Sequence, residues 1–362
     1  MDSLSQAVLG ASVGVAVAGR RLGPRKAALT GAVLGTVPDL DVLWDHGDPI
    51  SNFVLHRGAS HSLIIQALVT PLFGEALMRL MRGLREHRWT AYWLVFLCFS
   101  THALLDAMTV YGTQLLWPAT TYPFGTGSVF IVDPLYTLPL LILAIWALFK
   151  GGWSPGIGRG ATAALAISTL YLGWSLVGQA IALDRAESVL AKGGITPERT
   201  VSTPTPFNTL MWRVIAIDGD RYLNVYVPLL GDEDDVVAHA HPRIPPRRVC
   251  LEALPHAATV TVFTKGFYRL HEDETGLRIG DLRMGLTPSF VFDFLVAERA
   301  GDGYAPIPPV RVSSARRTDG DIEWLIAGLT GGPGPRPAEA AALLQTDRPS
   351  VAAAPAPSGG TC

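Results

Sequence analysis

Apolar positions form long, nearly uncharged runs in the first half of the chain and short alternating runs in the second. Six apolar segments can be drawn, at about 4–19, 27–44, 60–78, 89–110, 130–149 and 161–183. The last four each approach the roughly 20 residues with which a helix crosses a ~30 Å hydrocarbon core. The first two are rich in Gly and Ala, so they predict a close-packed hairpin or a partly re-entrant pair as readily as two full spans. From about residue 200 the period shortens to two. MWRVIAI and RYLNVYVPLL flank Asp218-Gly219-Asp220, which predicts a hairpin, and further strands are expected at 259–270, 276–284 and 289–298. GGWSPGIGRG at 151–160 reads as a flexible connection. The stretch 331–362, rich in Pro, Ala and Gly, reads as disordered because it offers too little apolar surface to offset its ordering entropy. The expected architecture is therefore a polytopic α-helical membrane domain over 1–185, a small β-rich domain over 186–330 and a disordered tail.

Charge and composition narrow the function classes. With 29 Lys+Arg against 31 Asp+Glu the net charge is -2, which argues against a basic nucleic-acid binder. A hydrophobic content of 49%, gathered into runs, excludes an ordinary cytosolic globular protein. Three cysteines make no disulfide framework. The N-terminus opens on Asp2 without a basic leader region, so the first segment is expected to be retained. Basic residues set the orientation. Arg20, Arg21, Arg25 and Lys26 follow the first segment, Arg79, Arg82, Arg85 and Arg88 the third, and Lys150 and Arg159 the fifth. Those loops are expected on the cytoplasmic side, and loops 45–59 and 111–129, with everything after 183, on the other.

Four clusters place ionisable groups beside or inside the apolar segments: Asp39 and Asp41 after Pro38; His56, Arg57 and His61; His102 and Asp106, four apart on one helical face; and Asp133. All fall on the extracytoplasmic side by an orientation read from Lys and Arg alone. Isolated, each has a plain reading: Asp39 and Asp41 as helix-ending residues, His102 and Asp106 as a structural pair, Arg57 as a headgroup anchor, Asp133-Pro134 as a helix start. Together they predict a metal centre, because a carboxylate or imidazole near hydrocarbon is costly unless paired and a cation satisfies them at once. Asp39, Asp41, His56, His61, His102 and Asp106 are the expected ligands, of Zn²⁺ or Mn²⁺. Six ligands exceed one tetrahedral ion and so suggest two. Arg57 is expected to hold a phosphate and Asp133 to act as a base or further ligand. Asp45, His46 and Asp48 read as solvated, His87 as too far away on the cytoplasmic side, and His239-Ala240-His241 as a weak binder in a Pro-rich loop.

These motifs, MDSLSQAVLGASVG, GAVLGTVPDLDVL, HRGASHS, STHALLDAMTVYGTQLLWP and VFIVDPLYTLPLL, resemble the YdjM-like inner-membrane proteins, which are described as predicted membrane-bound metal-dependent hydrolases. The resemblance covers residues 1–185, with weaker likeness around Trp212 and Asp281. Some members carry His where Gln6 stands here. The resemblance implies a multi-pass bacterial inner-membrane protein. More distantly, the family is similar to zinc-dependent phospholipase C, which implies phosphoester hydrolysis. Three functions compete. A hydrolase would act at the outer surface on a lipid or lipid-linked phosphoester. A non-catalytic scaffold or envelope protein would use the metal structurally. A metal or proton transporter is disfavoured, because the inner halves of the fourth and fifth segments carry no polar path.

Overall fold

The computed structural model describes residues 1–362 except 245–248, 250, 302, 314–318 and 347–362. The chain forms two compact units, the first comprising 1–44, 56–177 and 206–209, the second 45–55, 178–205 and 210–362.

The first unit opens with α1 (Ser3–Leu22), capped by the Asp2 side chain, and α2 (Pro24–Thr36), which starts on a proline after Gly23. Gly23 alone joins them, in the left-handed region at φ 78°. The two helices touch through glycine. A Cβ added to Gly31 would lie 2.0 Å from the Gly10 carbonyl oxygen, and one added to Gly10 would lie 2.2 Å from that of Gly31. Gly14 and Gly35 extend the contact one turn in each direction. The hairpin reading of segments 4–19 and 27–44 thus has a physical cause in backbone-to-backbone approach.

After the second unit's α3 (Pro49–Leu55), the first continues with α4 (Leu63–Leu80), α5 (Arg88–Ala107) and α6 (Pro134–Phe149), and with the start of α7 (Pro155–Lys192). Among the described residues, α4, α5 and α7 are long and apolar enough to cross a membrane, and α6 is a shorter apolar helix. Six apolar segments therefore become three span-length helices, one short helix and the glycine-packed hairpin. α5 is the interior helix: 61% of its apolar window is buried, against 22% for α4 and for α7. The linker expected at 151–160 is half helix, since α7 begins at Pro155. Proline fits a first helical turn, and Gly158 and Gly160 leave room for the rings of Trp153 and Trp146.

The second unit carries β1 (Arg199–Pro204), β2 (Met211–Asp218), β3 (Arg221–Pro228) and β4 (Val237–Pro242), an antiparallel sheet in sequence order. Asp218 pairs with Arg221 around Gly219-Asp220, so the expected two-residue hairpin is present. One face of this sheet, with Trp212, Val214, Leu223 and Val225, packs on Ala182, Ala186 and Leu190 of α7. Where a strand was expected at 259–270 the chain forms α8 (Pro255–Phe263) and then β5 (Tyr268–Glu272). The buried positions Ala257, Val260 and Phe263 are three apart, a helical spacing that overrides the β-branched composition. Next come β6 (Leu277–Asp281), the short ribbon of β7 (Gly285–Leu286) and β8 (Ser289–Phe290), β9 (Asp293–Ala300) and β10 (Gly303–Arg311). β10, β9, β6 and β5 form the second sheet, in that order. Phe53 of α3 packs within this unit, its ring 4.3 Å from Phe292 and 4.7 Å from Phe263. α9 (Asp321–Thr330) and α10 (Pro337–Thr346) follow. α10 lies in the stretch expected to be disordered, yet its Glu339 is fully buried; residues 347–362 lie outside the described residues.

One pair in the second sheet makes this unit sensitive to acid. His271 Nε2 lies 3.6 Å from Asp293 Oδ2, but burial dominates both groups. Burial, with the charges of Arg269 and Arg278, pushes His271 down to about 3, and burial pushes Asp293 up to about 6. A depressed histidine removes stability as pH falls below its unfolded value of ~6.5, whereas a raised carboxyl adds stability as pH falls from about 6 toward ~3.8. The histidine shift is the larger. His271→Gln should therefore flatten the fall in Tm between pH 7 and pH 4, and Asp293→Asn should steepen it while raising stability at pH 7 by ~1–2 kcal/mol. Thermal melts of the full chain in detergent check both; parallel curves for wild type and His271→Gln would remove the histidine from the account.

Candidate metal centre

The centre lies entirely in the first unit. Asp39 and Asp41 sit on a six-residue 3-10 turn, Pro38–Leu43, that follows α2 directly. His61 ends a shorter 3-10 turn, Ala59–His61, before α4, and Ser62 caps that helix through the Ile65 amide. His102 and Asp106 lie one turn apart on buried α5. From these three elements Asp39, His61, His102 and Asp106 each bring one donor atom to within 4.8 Å of the others, a group that can hold a metal ion.

Hydrogen bonds fix which imidazole nitrogens point inward. His102 Nδ1 is 2.6 Å from the Gly35 carbonyl oxygen, which can only accept, so Nδ1 carries the hydrogen. The Ser60 hydroxyl donates to Asp41 Oδ2 at 2.8 Å and so accepts from His61 Nδ1, also at 2.8 Å. Both neutral rings then present lone pairs at Nε2, and these two atoms face each other at 3.1 Å. Two lone pairs at that distance repel unless a proton or a metal cation lies between them. Asp39 Oδ1 completes the ring, 3.3 Å from His102 Nε2 and 3.5 Å from His61 Nε2.

Asp106 divides its oxygens. Oδ1 accepts from Gln6 Nε2 at 3.0 Å and pairs with the α-amino group of Met1. Oδ2 lies 3.2 Å from His61 Nε2 and 3.0 Å from Arg57 Nε, yet it is buried with no hydrogen bond of acceptable direction. An orphaned carboxylate oxygen beside two imidazole lone pairs is a donor set that fits a cation. With no metal bound, a proton takes the cation's place: burial opposes charge on His61, but Asp106, Asp39 and Asp41 outweigh it and raise the imidazole to about 9, so metal binding must displace that proton. Burial likewise opposes charge on Asp39, yet the two imidazoles beside it hold its carboxyl below the ordinary range.

The other expected site residues stand elsewhere. Asp41 and His56 form a second layer rather than part of the inner group. Asp41 Oδ2 accepts from Ser60 and from the Arg57 amide at 2.9 Å, and Oδ1 faces His56 Nδ1 at 3.1 Å, both atoms without a directed hydrogen bond. Such a carboxylate orients the ring ahead of it. Arg57, expected to hold a phosphate, is buried. Its backbone is in the left-handed region at φ 61°, and its guanidinium packs on Asp106, on Thr109 Oγ1 at 3.2 Å and on the Tyr111 ring at 4.9 Å. Asp133 caps α6 through the Leu135 and Tyr136 amides and accepts from Tyr171, so its helix-start reading describes it and it lies outside the four-residue group. One role escapes the sequence reading: Gly35 fixes His102 through a carbonyl that no side-chain pattern reveals. Gln6, which stands where some family members carry His, touches the site from α1 through Asp106 Oδ1. His239 and His241, expected in a loop, lie on β4 in the other unit.

The family model of the YdjM inner membrane protein matches residues 1–182, the stretch that carries every residue of the centre. No curated protein and no solved structure matches the chain. On a match over half its length, anchored in the unit that holds the metal-binding group, the chain belongs to the YdjM inner membrane protein family.

Proposed function

We infer that the protein is a multi-pass inner-membrane hydrolase that uses a divalent metal, Zn²⁺ before Mn²⁺, at the extracytoplasmic membrane surface on a lipid or lipid-linked phosphoester. The observation that carries the metal is the pair of facing Nε2 atoms beside the orphaned Asp106 oxygen. Two His and two Asp donors suit zinc. The half-buried pair Asp41 Oδ1 and His56 Nδ1 is where a second ion would find donors. When bound, a divalent cation supplies Lewis-acid activation of water and of a phosphoryl oxygen. Asp39, His61, His102 and Asp106 hold it. Asp41 orients His61 and, with partly exposed His56, can carry a proton between the site and water. Arg57 balances the carboxylates.

The turn that carries Asp39 and Asp41 supports the lipid reading. Between and after them stand Leu40, Val42, Leu43 and Trp44, the last two 80% and 72% exposed. An apolar rim ending in Trp suits the membrane interface, where a headgroup reaches the centre from the side. The same side is assigned to the second unit by the Lys/Arg pattern, and a reporter fused after residue 230 should read as extracytoplasmic. A second reading keeps one observation in its favour: four protein ligands fill a tetrahedral shell, as in structural sites. Turnover separates the two. Metal-loaded protein in liposomes should hydrolyse a phospholipid or another lipid-linked phosphoester, and chelation should abolish this. Asp41→Asn should lower kcat by about 10–100-fold. Intact substrates across a broad panel, with metal bound in stoichiometric amount, would leave the structural reading.

A further inference from the structure

The polar face of the first sheet in the second unit is unlike a core. Arg213, Asn224, Tyr226, His239 and His241 project from β2, β3 and β4, all buried. The partner at their centre is a carboxylate from the chain's own α10. Glu339 Oε1 accepts from Asn224 Nδ2 at 2.7 Å and from Tyr226 OH at 2.6 Å, and Oε2 lies 3.0 Å from His241 Nε2. Arg213 orders the set, its Nε donating to Asn224 Oδ1 at 2.9 Å and its Nη1 to the Gly285 carbonyl. Although burial opposes its charge, these donors hold Glu339 below the ordinary carboxyl range, so it is seated as an anion.

Two features distinguish this from a structural staple. Polar groups exceed the acceptor: Arg213 Nη2, a donor, and His239 Nε2, a donor in one of the ring's two tautomers, are buried, in residues 1% and 6% exposed, without a hydrogen-bond partner. A network built only for stability satisfies its members, whereas one holding spare donors has capacity for more acceptor atoms than Glu339 brings. The occupant is also mounted mainly through polar groups. α10 follows Gly331-Gly332-Pro333-Gly334-Pro335, the residues flanking Glu339 are alanines, of which Ala338 is buried, and the buried Arg336 just before the helix pairs with Asp321. Polar contacts of this kind can be exchanged for those of a polar ligand, while Arg336 keeps the segment tethered.

We propose that this sheet face is a carboxylate-binding site, that Glu339 is its tethered occupant, and that a ligand bearing a carboxylate and at least one further acceptor displaces α10 from it. The spare Arg213 and His239 groups receive the second acceptor. The site is independent of the metal centre and of the hydrolase reading.

Hydrogen exchange and melting of the full chain in detergent test it, with succinate as the small probe and a synthetic peptide of the Pro337–Thr346 sequence as the acidic-peptide probe. A tether presents Glu339 at an effective concentration of about millimolar, so the probes run to about 100 mM against chloride of equal ionic strength. In wild type the α10 amides should exchange at least ten-fold faster, saturably, while those of β2 and β3 stay protected. In Glu339→Ala, or Glu339→Gln should the first not fold, succinate should raise Tm saturably at ten-fold lower concentration than it opens α10 in wild type. A larger response to the peptide assigns a peptide ligand, and a larger one to succinate a small dicarboxylate. A variant that melts identically in succinate and chloride, with wild-type α10 exchange unmoved, overturns the site.

Discussion

His102→Ala should purify without stoichiometric metal, with affinity lowered more than ~100-fold, beyond the ~10–100-fold expected for an outer-layer change. The reason is specific to this ring. Its Nδ1 is committed to the Gly35 carbonyl, so Nε2 is its inward donor and no other group of α5 can replace it. Asp106→Asn should lose metal as well, but with a second penalty. Its Oδ2 lies 3.0 Å from buried Arg57, and an uncompensated buried cation costs ~3–5 kcal/mol, so this variant should also melt earlier than wild type stripped of its metal. Asp41→Asn, which acts through His61, should fall between wild type and His102→Ala. Elemental analysis of the purified proteins, set beside their Tm values, checks the order. Equal metal content in wild type, His102→Ala and Asp106→Asn would remove the centre.

Part of this centre was legible in the chain because of periodicity. The i, i+4 spacing of His102 and Asp106 puts them on one helical face wherever the helix lies, and ionisable groups in apolar runs are rarely idle. Asp39 and Asp41 could not be ranked the same way. Their turn is 3-10, so residues two apart point about 120° away from an eclipsed position, and neither helical nor strand periodicity says which faces inward. Asp133 stands outside the inner group for a different reason: a carboxylate before Pro134 satisfies a helix start locally, and the sequence offers no sign of which use its oxygens take.

In the second unit the strand pair around Gly219 was read correctly because turn chemistry and alternation agree there. At 255–263 they conflict, and burial at every third residue makes a helix. α10 and β4 were missed together. β4 is held by its ladder to β3, and α10 docks on it through the polar contact of Glu339 with His241, for which a hydrophobic pattern carries no signal. Alternation of His239 and His241 was itself a strand signal, outweighed in the reading by the prolines that follow.

Gly31→Leu should abolish metal binding although Gly31 is not a ligand. A Cβ there meets the Gly10 carbonyl oxygen at 2.0 Å and the Gly14 Cα at 2.9 Å, and both obstacles are backbone, which no rotamer change can clear. α1 and α2 must separate. Gly35 is one turn further along α2 and makes the same close approach to α1, its added Cβ falling 2.7 Å from the Gln6 carbonyl oxygen. Separation therefore moves the carbonyl that holds His102 Nδ1, the start of the turn bearing Asp39, and the Gln6 amide that holds Asp106 Oδ1. Three of the four inner side chains lose their alignment at once, and a site loosened by about 1 Å forfeits most of its preorganisation. The strain of overpacking adds ~1–3 kcal/mol of destabilisation. Gly173→Leu is the matched control, since a Cβ at Gly173 meets nothing within 4 Å. The expected result is a metal-free, early-melting Gly31→Leu protein beside a Gly173→Leu protein that keeps its metal and its Tm. Equal metal content and Tm in the two would mean that the glycine contact does not position the centre.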